Sequence, residues 1–311
     1  MQSRFVFEEA PCPACHASTI AEVGPGRFLC AWFGGTQEGE KDVGIWVAEL
    51  AGDAWSPPRL VARDPEQPGW NPVLFHTRAG ETLLLYKAGP RPSNWSGLLM
   101  RSRDGGETWS EPEWLPAGIL GPIKNKPVEL ESGEIVCGSS VESWRLWACW
   151  CEITPDAGRT WSKHGPIGVP GRPYGIIQPA VLDLDGGRVR FLCRSHGMRR
   201  IVCADSLDGG RSWGDAFLTD LPNPGSGIDA VRLADGRIAL IHNHTTTDRT
   251  PLNVAVSEDG GDTWGPPLVL EDEPGEYSYP AIIQASNGAV HMTYTWRRER
   301  IKHAVLAPGE L

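Results

Sequence analysis

The chain lacks any run of 18 or more apolar residues, so no stretch reads as a membrane-spanning helix. Its opening, MQSRFVFEEA, also lacks the basic-then-apolar plan of a secretion signal. Both absences lead to the expectation of a soluble, cytoplasmic chain with no membrane partner. A basic surplus is missing too: 29 Lys and Arg stand against 39 Asp and Glu, a formal net charge of −10. Such a balance excludes nucleic acid as the expected partner, because nothing is spare to neutralise phosphates. An acidic ligand would need basic groups clustered locally. Helical periodicity is nearly absent. The eight cysteines read as reduced thiols rather than as a disulfide framework. Cys12, Cys15 and His16 stand close together in PCPACHAS, but no second Cys/His pair lies at a ligand-like distance, so neither metal nor other cofactor is expected.

What is present is tryptophan, 14 residues of it, and a repeated phrase. SRDGGETWS (102–110) returns as TPDAGRTWS, SLDGGRSWG and SEDGGDTWG. Its aspartates, Asp104, Asp156, Asp208 and Asp259, are 52, 52 and 51 residues apart. A degenerate copy, AGDAWS, places Trp55 54 residues before Trp109. Asp and Ser/Thr side chains can bond their own turn's amides, the glycines allow positive φ, and each Trp can plug between sheets, so the phrase reads as structural.

A second repeat runs out of phase with the first. Thr19, Pro72, Pro127, Pro179, Asp229 and Pro280 hold equivalent positions, 50 to 55 residues apart, and count six units. Each unit reads as four short antiparallel strands joined by turn signals, which is the pattern of a propeller blade. The expectation is an all-β fold, a six-bladed β-propeller forming one domain over residues 1–311, with SRFVFEE supplying the missing strand of the last blade and removing its exposed edge.

Strand alternation puts first-strand starts and second-strand ends on one face and the Asp turns on the other. First-strand starts offer His16, Asn71, Lys124, Asn125, Lys126, Gln178, Asp229, Tyr277 and Tyr279. Second-strand ends and the loops after them offer Glu38, Asp42, Lys87, Arg194, His196, His242, His244, Arg249 and Arg297. The stretch YKAGPRPSNWSG (86–97) reads as a long loop over this face, with Trp95 placed to stack on a sugar ring.

The repeats resemble those of the sialidase (neuraminidase) superfamily of BNR/Asp-box proteins, in its BNR-repeat-like branch, over almost the whole chain. The resemblance implies three arginines clamping a carboxylate, a Tyr nucleophile helped by a Glu, and an acid in the first blade. EYSYPAIIQASNGAVHMTY points to Tyr277 as nucleophile, FLCRS to Arg194 as the second arginine, and RTPLNVAVSEDGG to Arg249 as the third. Two positions depart: His16 stands where the first arginine would be, and Gln178 where the activating Glu would be. TQEGEKDVGIW offers Glu38, Glu40 and Asp42 for the acid.

The resemblance thus implies an exo-acting glycosidase on a terminal acidic sugar, its partner an acidic oligosaccharide or glycoconjugate. Tyr277, Asp42, Glu38 and His16 are the catalytic candidates. Arg194, Arg249, Gln178, Lys87, Lys126, His244, Asn71 and Trp95 are the binding candidates. Two alternatives stay open: β-elimination on a uronic acid, with the cations neutralising its carboxylate and Tyr277 or a histidine as base, and a glycan-binding propeller without catalysis.

Overall fold

The computed structural model describes residues 1–172 and 175–311. Six antiparallel sheets account for nearly all of the regular structure, and the one short helical piece described is a 3-10 turn at Pro92–Asn94. The fold is the six-bladed β-propeller that the repeats imply, each blade four strands deep. The first blade runs Ala14–Gly24, Arg27–Gly35, Gly44–Ala51, with Ala54–Trp55 and Arg59–Ala62 sharing its outer position. Inner strands of the next five begin at Gly69, Val128, Ile176, Asp229 and Tyr277.

By compactness the chain falls into two units, Met1–Ala117 with Tyr279–Leu311, and Gly118–Ser278. The first has a core of residues such as Leu29, Phe33, Ile45, Leu74 and Tyr86, with satellites around Trp32 and Phe28. Within it Gln2–Phe5 pairs with Arg300–Leu306, so the last blade borrows its fourth strand from the N-terminus as expected. The second unit packs Val136, Ile153, Phe191 and Val202 in one cluster and Leu182, Leu192, Ile228 and Leu240 in another.

The repeated turns are built as their residue types dictate. In the 206–213 copy, Ser206 Oγ donates to Asp208 at 2.8 Å and accepts from Gly210 N at 2.9 Å. Asp208 in turn accepts from Arg211 N and Ser212 N, and Trp213 Nε1 closes on the Gly210 carbonyl while its ring lies 4.1 Å from Phe191. Gly210 has φ +92°, and a Cβ there would stand 2.7 Å from Cys151 Sγ, so this glycine serves both the turn and the close approach of a neighbouring strand. Within a blade the register runs from Ile176↔Ser195 at one end to Asp183↔Val189↔Ser206 at the other. The turn therefore lies at the end opposite the inner strand's start.

Inner strands share a second device that the recurring prolines foreshadow. Between Trp70↔Lys87 and Val73↔Leu85 the inner strand spends one residue more than its neighbour, and the same happens after Ile177↔Arg194 and after His16↔Phe33. These are β-bulges, which re-aim side chains next to binding sites. Asn71, Gln178 and Tyr279 sit in the left-handed region, with φ of 36°, 54° and 49°, each directly before its proline. Proline donates no ladder hydrogen bond, and an edge strand at a bulge is where that loss is tolerated.

Candidate active site

In the second unit, Tyr277 begins the inner strand of the last blade and is 1% exposed. Its amide donates to the Arg249 carbonyl at 2.9 Å, and its own carbonyl accepts from Asn243 Nδ2 at 2.9 Å, so the backbone on both sides is fixed. Arg249 Nη1 reaches Glu276 Oε1 at 2.6 Å, and Ser278 Oγ donates to the same oxygen at 2.8 Å. The segment 276–278 thus ties a cation to the tyrosine's own strand.

Lys124, Lys126, Gln178, Arg194 and Asp229 are also in this unit. Lys124 is buried and donates to the Ile228 carbonyl at 3.1 Å. Its pKa is pushed down to about 7, first by burial, then by the Lys126 and Arg194 charges, while Asp229 pulls it up. Lys126 Nζ pairs with Asp229 at 2.9 Å. Gln178 Oε1 accepts from Arg194 Nη1 at 3.3 Å, so the glutamine standing where a Glu was expected orients the arginine without adding charge. Glu142, at the end of Ile135–Glu142, has its carboxyl raised by burial while Arg194 opposes that rise. The sequence reading named neither Glu142, although it drew other candidates from second-strand ends, nor Glu276, which stands directly before Tyr277. His244 is held by its amide on Asn253, and its ring lies 5.2 Å from the buried His242; burial lowers both imidazoles, His242 to about 3.

The first unit gathers aromatics instead. His16 is buried, bonded through Nδ1 to Thr295 Oγ1 at 2.9 Å and packed 4.3 Å from Tyr279 and 5.4 Å from Phe33. The row continues from Phe33 to Trp70 and from Trp70 to Trp95, each step 6.0 Å between ring centroids. Trp95 is half-buried at the end of the Pro92–Asn94 turn. The stretch expected as one long loop from 86 is shorter, because strands run to Ala88 and resume at Ser96. Asn71 is buried at its bulge beside Trp70. Lys87, opposite Trp70 in the ladder, is fully buried.

The segment after the second strand of the first blade leans on this row: a Cβ at Gly39 would lie 3.5 Å from Trp70. It carries both acid candidates. Asp42 accepts from the amide and hydroxyl of Thr36, at 2.8 and 2.6 Å, and these bonds hold its carboxyl below the ordinary range. A carboxylate so held is poor at donating a proton near neutral pH. Glu38 makes an ion pair with Arg298. Among the described residues no group of three or more His, Cys, Asp or Glu is arranged to hold a metal ion.

Six four-stranded sheets with repeated turns define a β-propeller protein, and Tyr277, Arg194, Arg249 and Lys124 lie in one of its two units. A BNR repeat-like domain model matches residues 26–292, and the chain belongs to that family. A sialidase from Micromonospora viridifaciens is 29% identical over 152 residues, 45% of this chain; the match spans only 22% of that curated relative. A protein of unknown function from Dyadobacter fermentans superposes with a TM-score of 0.82 at 19% identity, covering 98% of this chain and 99% of that one. The intramolecular trans-sialidase from Ruminococcus gnavus superposes with a TM-score of 0.80 at 12% identity, covering 99% and 98%. At such identities the superpositions speak for the fold. Together with the family match they bear out the resemblance to the sialidase superfamily.

Proposed function

We propose that the chain is a glycosidase of sialidase type, acting on a terminal carboxylate-bearing sugar of an oligosaccharide or glycoconjugate. The observation that carries this reading is Tyr277, buried and backbone-fixed beside the Arg249–Glu276 pair, in the same unit as Arg194 and the Lys124–Lys126–Asp229 cluster. Arg194 and Arg249 take the sugar carboxylate, whose planar oxygens match a guanidinium fork. Tyr277 Oη then attacks the anomeric carbon and forms a glycosyl-enzyme that water later hydrolyses. A phenol with an ordinary pKa near 10 needs a base. Glu142 fills that role in place of a carboxylate at 178, because its raised pKa brings it nearer to neutrality.

One observation favours a second reading. A lysine with a pKa of about 7 is an effective base, and Lys124 could remove the proton next to a neutralised uronate carboxyl and return it to the glycosidic oxygen, which leaves as the alcohol as the C–O bond breaks and the C=C bond forms. The products would be an unsaturated uronate and a shortened glycan.

The test is incubation with sialosides and with uronate-terminated oligosaccharides, following free sialic acid and the ultraviolet absorbance of an unsaturated uronate. Free sialic acid that disappears in Tyr277→Phe supports hydrolysis. New absorbance that survives Tyr277→Phe but not Lys124→Met replaces it with elimination. Binding without either product overturns both in favour of a glycan-binding propeller.

A further inference from the structure

Cys12 and Cys15 take no part in the site described, yet they are placed as a working pair. Their sulfurs are 3.6 Å apart, with Cys12 Sγ also 3.4 Å from the Ala14 carbonyl. Cys12 is half-buried and lines an open cleft of about 580 Å³ with Glu8, Pro13, Glu299 and Arg300. Cys15 is sealed in the core against Trp32 and Ile301. Room for the outer sulfur comes from Gly34, where a Cβ would stand 2.6 Å from Cys12 Sγ. The same S–H···S bond lowers the pKa of Cys12 and, together with burial, raises that of Cys15. The outer sulfur is therefore the one of the pair that gives up its proton more readily.

We propose that Cys12 and Cys15 are a redox-active dithiol that closes to an intramolecular disulfide at the expense of a low-molecular-weight disulfide. The Cys12 thiolate attacks one sulfur of the external disulfide, forming a mixed disulfide and expelling one thiolate. That thiolate, or water in the cleft, takes the Cys15 proton. Cys15 then attacks Cys12 Sγ, the protein S–S bond forms, and the second external thiol leaves. Two protein thiols are oxidised and one external disulfide is reduced to two thiols. The hydrogen bond that kept Cys15 protonated vanishes once Cys12 is in the mixed disulfide, so the first step prepares the second.

Closeness alone does not make such a site. Cys149 and Cys193 are 3.8 Å apart, but both are wholly buried and burial holds the Cys193 thiol well up, so an external disulfide has neither access nor a thiolate to meet. This pair is the internal control.

The experiment treats the folded full chain with oxidised glutathione, quenches in acid, and maps cysteine peptides after alkylation. The expected result is a peptide holding both Cys12 and Cys15 that has lost two hydrogens, carries no glutathione and is restored by dithiothreitol. Cys12→Ser should abolish the reaction, and Cys15→Ala should stop it at a glutathione adduct on Cys12. A stable adduct on Cys12 in the parent chain, full alkylation of Cys12 after oxidation, or a Cys149–Cys193 bond forming as fast would each overturn the proposal. Because Cys12 is half-exposed, Cys12→Ser remains decisive even if Cys15→Ala fails to fold.

Discussion

Replacing Lys124 by Met should stabilise the protein, and the gain should fade as pH rises. The ammonium is buried, donates one hydrogen bond to the Ile228 carbonyl, and has its pKa lowered from 10.5 to about 7. Between those values the unfolded chain binds the proton and the folded chain does not, so stability contributed by this group rises with pH across that window. Below pH 7 the full cost applies, roughly 5 kcal/mol for a drop of that size. At pH 9.5 the unfolded lysine is close to losing its own proton, and the same linkage leaves roughly 1.5 kcal/mol. Met forfeits the bond to Ile228, about 1 kcal/mol at any pH. The variant should therefore gain roughly 3–4 kcal/mol at pH 6 and almost nothing at pH 9.5. Urea unfolding of both proteins at pH 6, 8 and 9.5 measures this directly. A difference that does not change with pH, or a variant less stable at pH 6, would refute the reasoning. Where Lys124 serves binding or chemistry under the proposed function, turnover should fall in the variant that folds better.

Three other outcomes are expected. Trp95→Ala removes the exposed end of the row that runs through Phe33 and Trp70, and should raise KM for an oligosaccharide about 3- to 10-fold while leaving kcat near its parent value, as steady-state kinetics will show. Ser206→Ala leaves the Gly210 amide without its buried acceptor and should cost about 1–2 kcal/mol in denaturant unfolding, with KM unchanged because the turn lies at the far end of its blade. His291 and His303, 3.0 Å apart and buried, have pKa values lowered by burial to about 4 and about 3, so they stay neutral when folded but charge when unfolded. The thermal midpoint should consequently fall as pH drops from 6.5 towards 4, and His303→Gln should flatten that slope; an unchanged slope counts against the pair as its cause.

How much of this could be read from the sequence differs between scaffold and site. The turns were legible because Asp, Gly and Trp recur every 51 or 52 residues, and each bonds within its own few residues, as Ser206, Asp208 and Trp213 do. Strand closure by Gln2–Phe5 was legible because the last unit is one strand short. The positions of Tyr277, Arg194 and Gln178 followed from counting along the repeats. Their partners did not. Burial and the Arg194 charge act on Glu142, Glu276 pairs with Arg249, and neither relation leaves a periodic mark. Lys87 was drawn from a strand end, while its place opposite Trp70 and its full burial come from the ladder, which the repeat does not spell out.

The bulges connect these observations. A non-glycine residue in the left-handed region costs on the order of 1 kcal/mol, and Asn71, Gln178 and Tyr279 all accept that cost at the same point of their inner strands. A regular strand would alternate its side chains and send every second one into the blade, whereas one extra residue re-aims the side chains there. That explains why proline recurs beside the most chemically varied positions of the chain: the bulge is the repeated structural element, and the residue before the proline is free to differ from blade to blade. Gln178 then needs no separate account as a defect. Its amide accepts from Arg194 where a carboxylate would form an ion pair, and under the proposed function this leaves the Arg194 charge for a ligand and the mobile proton to Glu142 or Lys124.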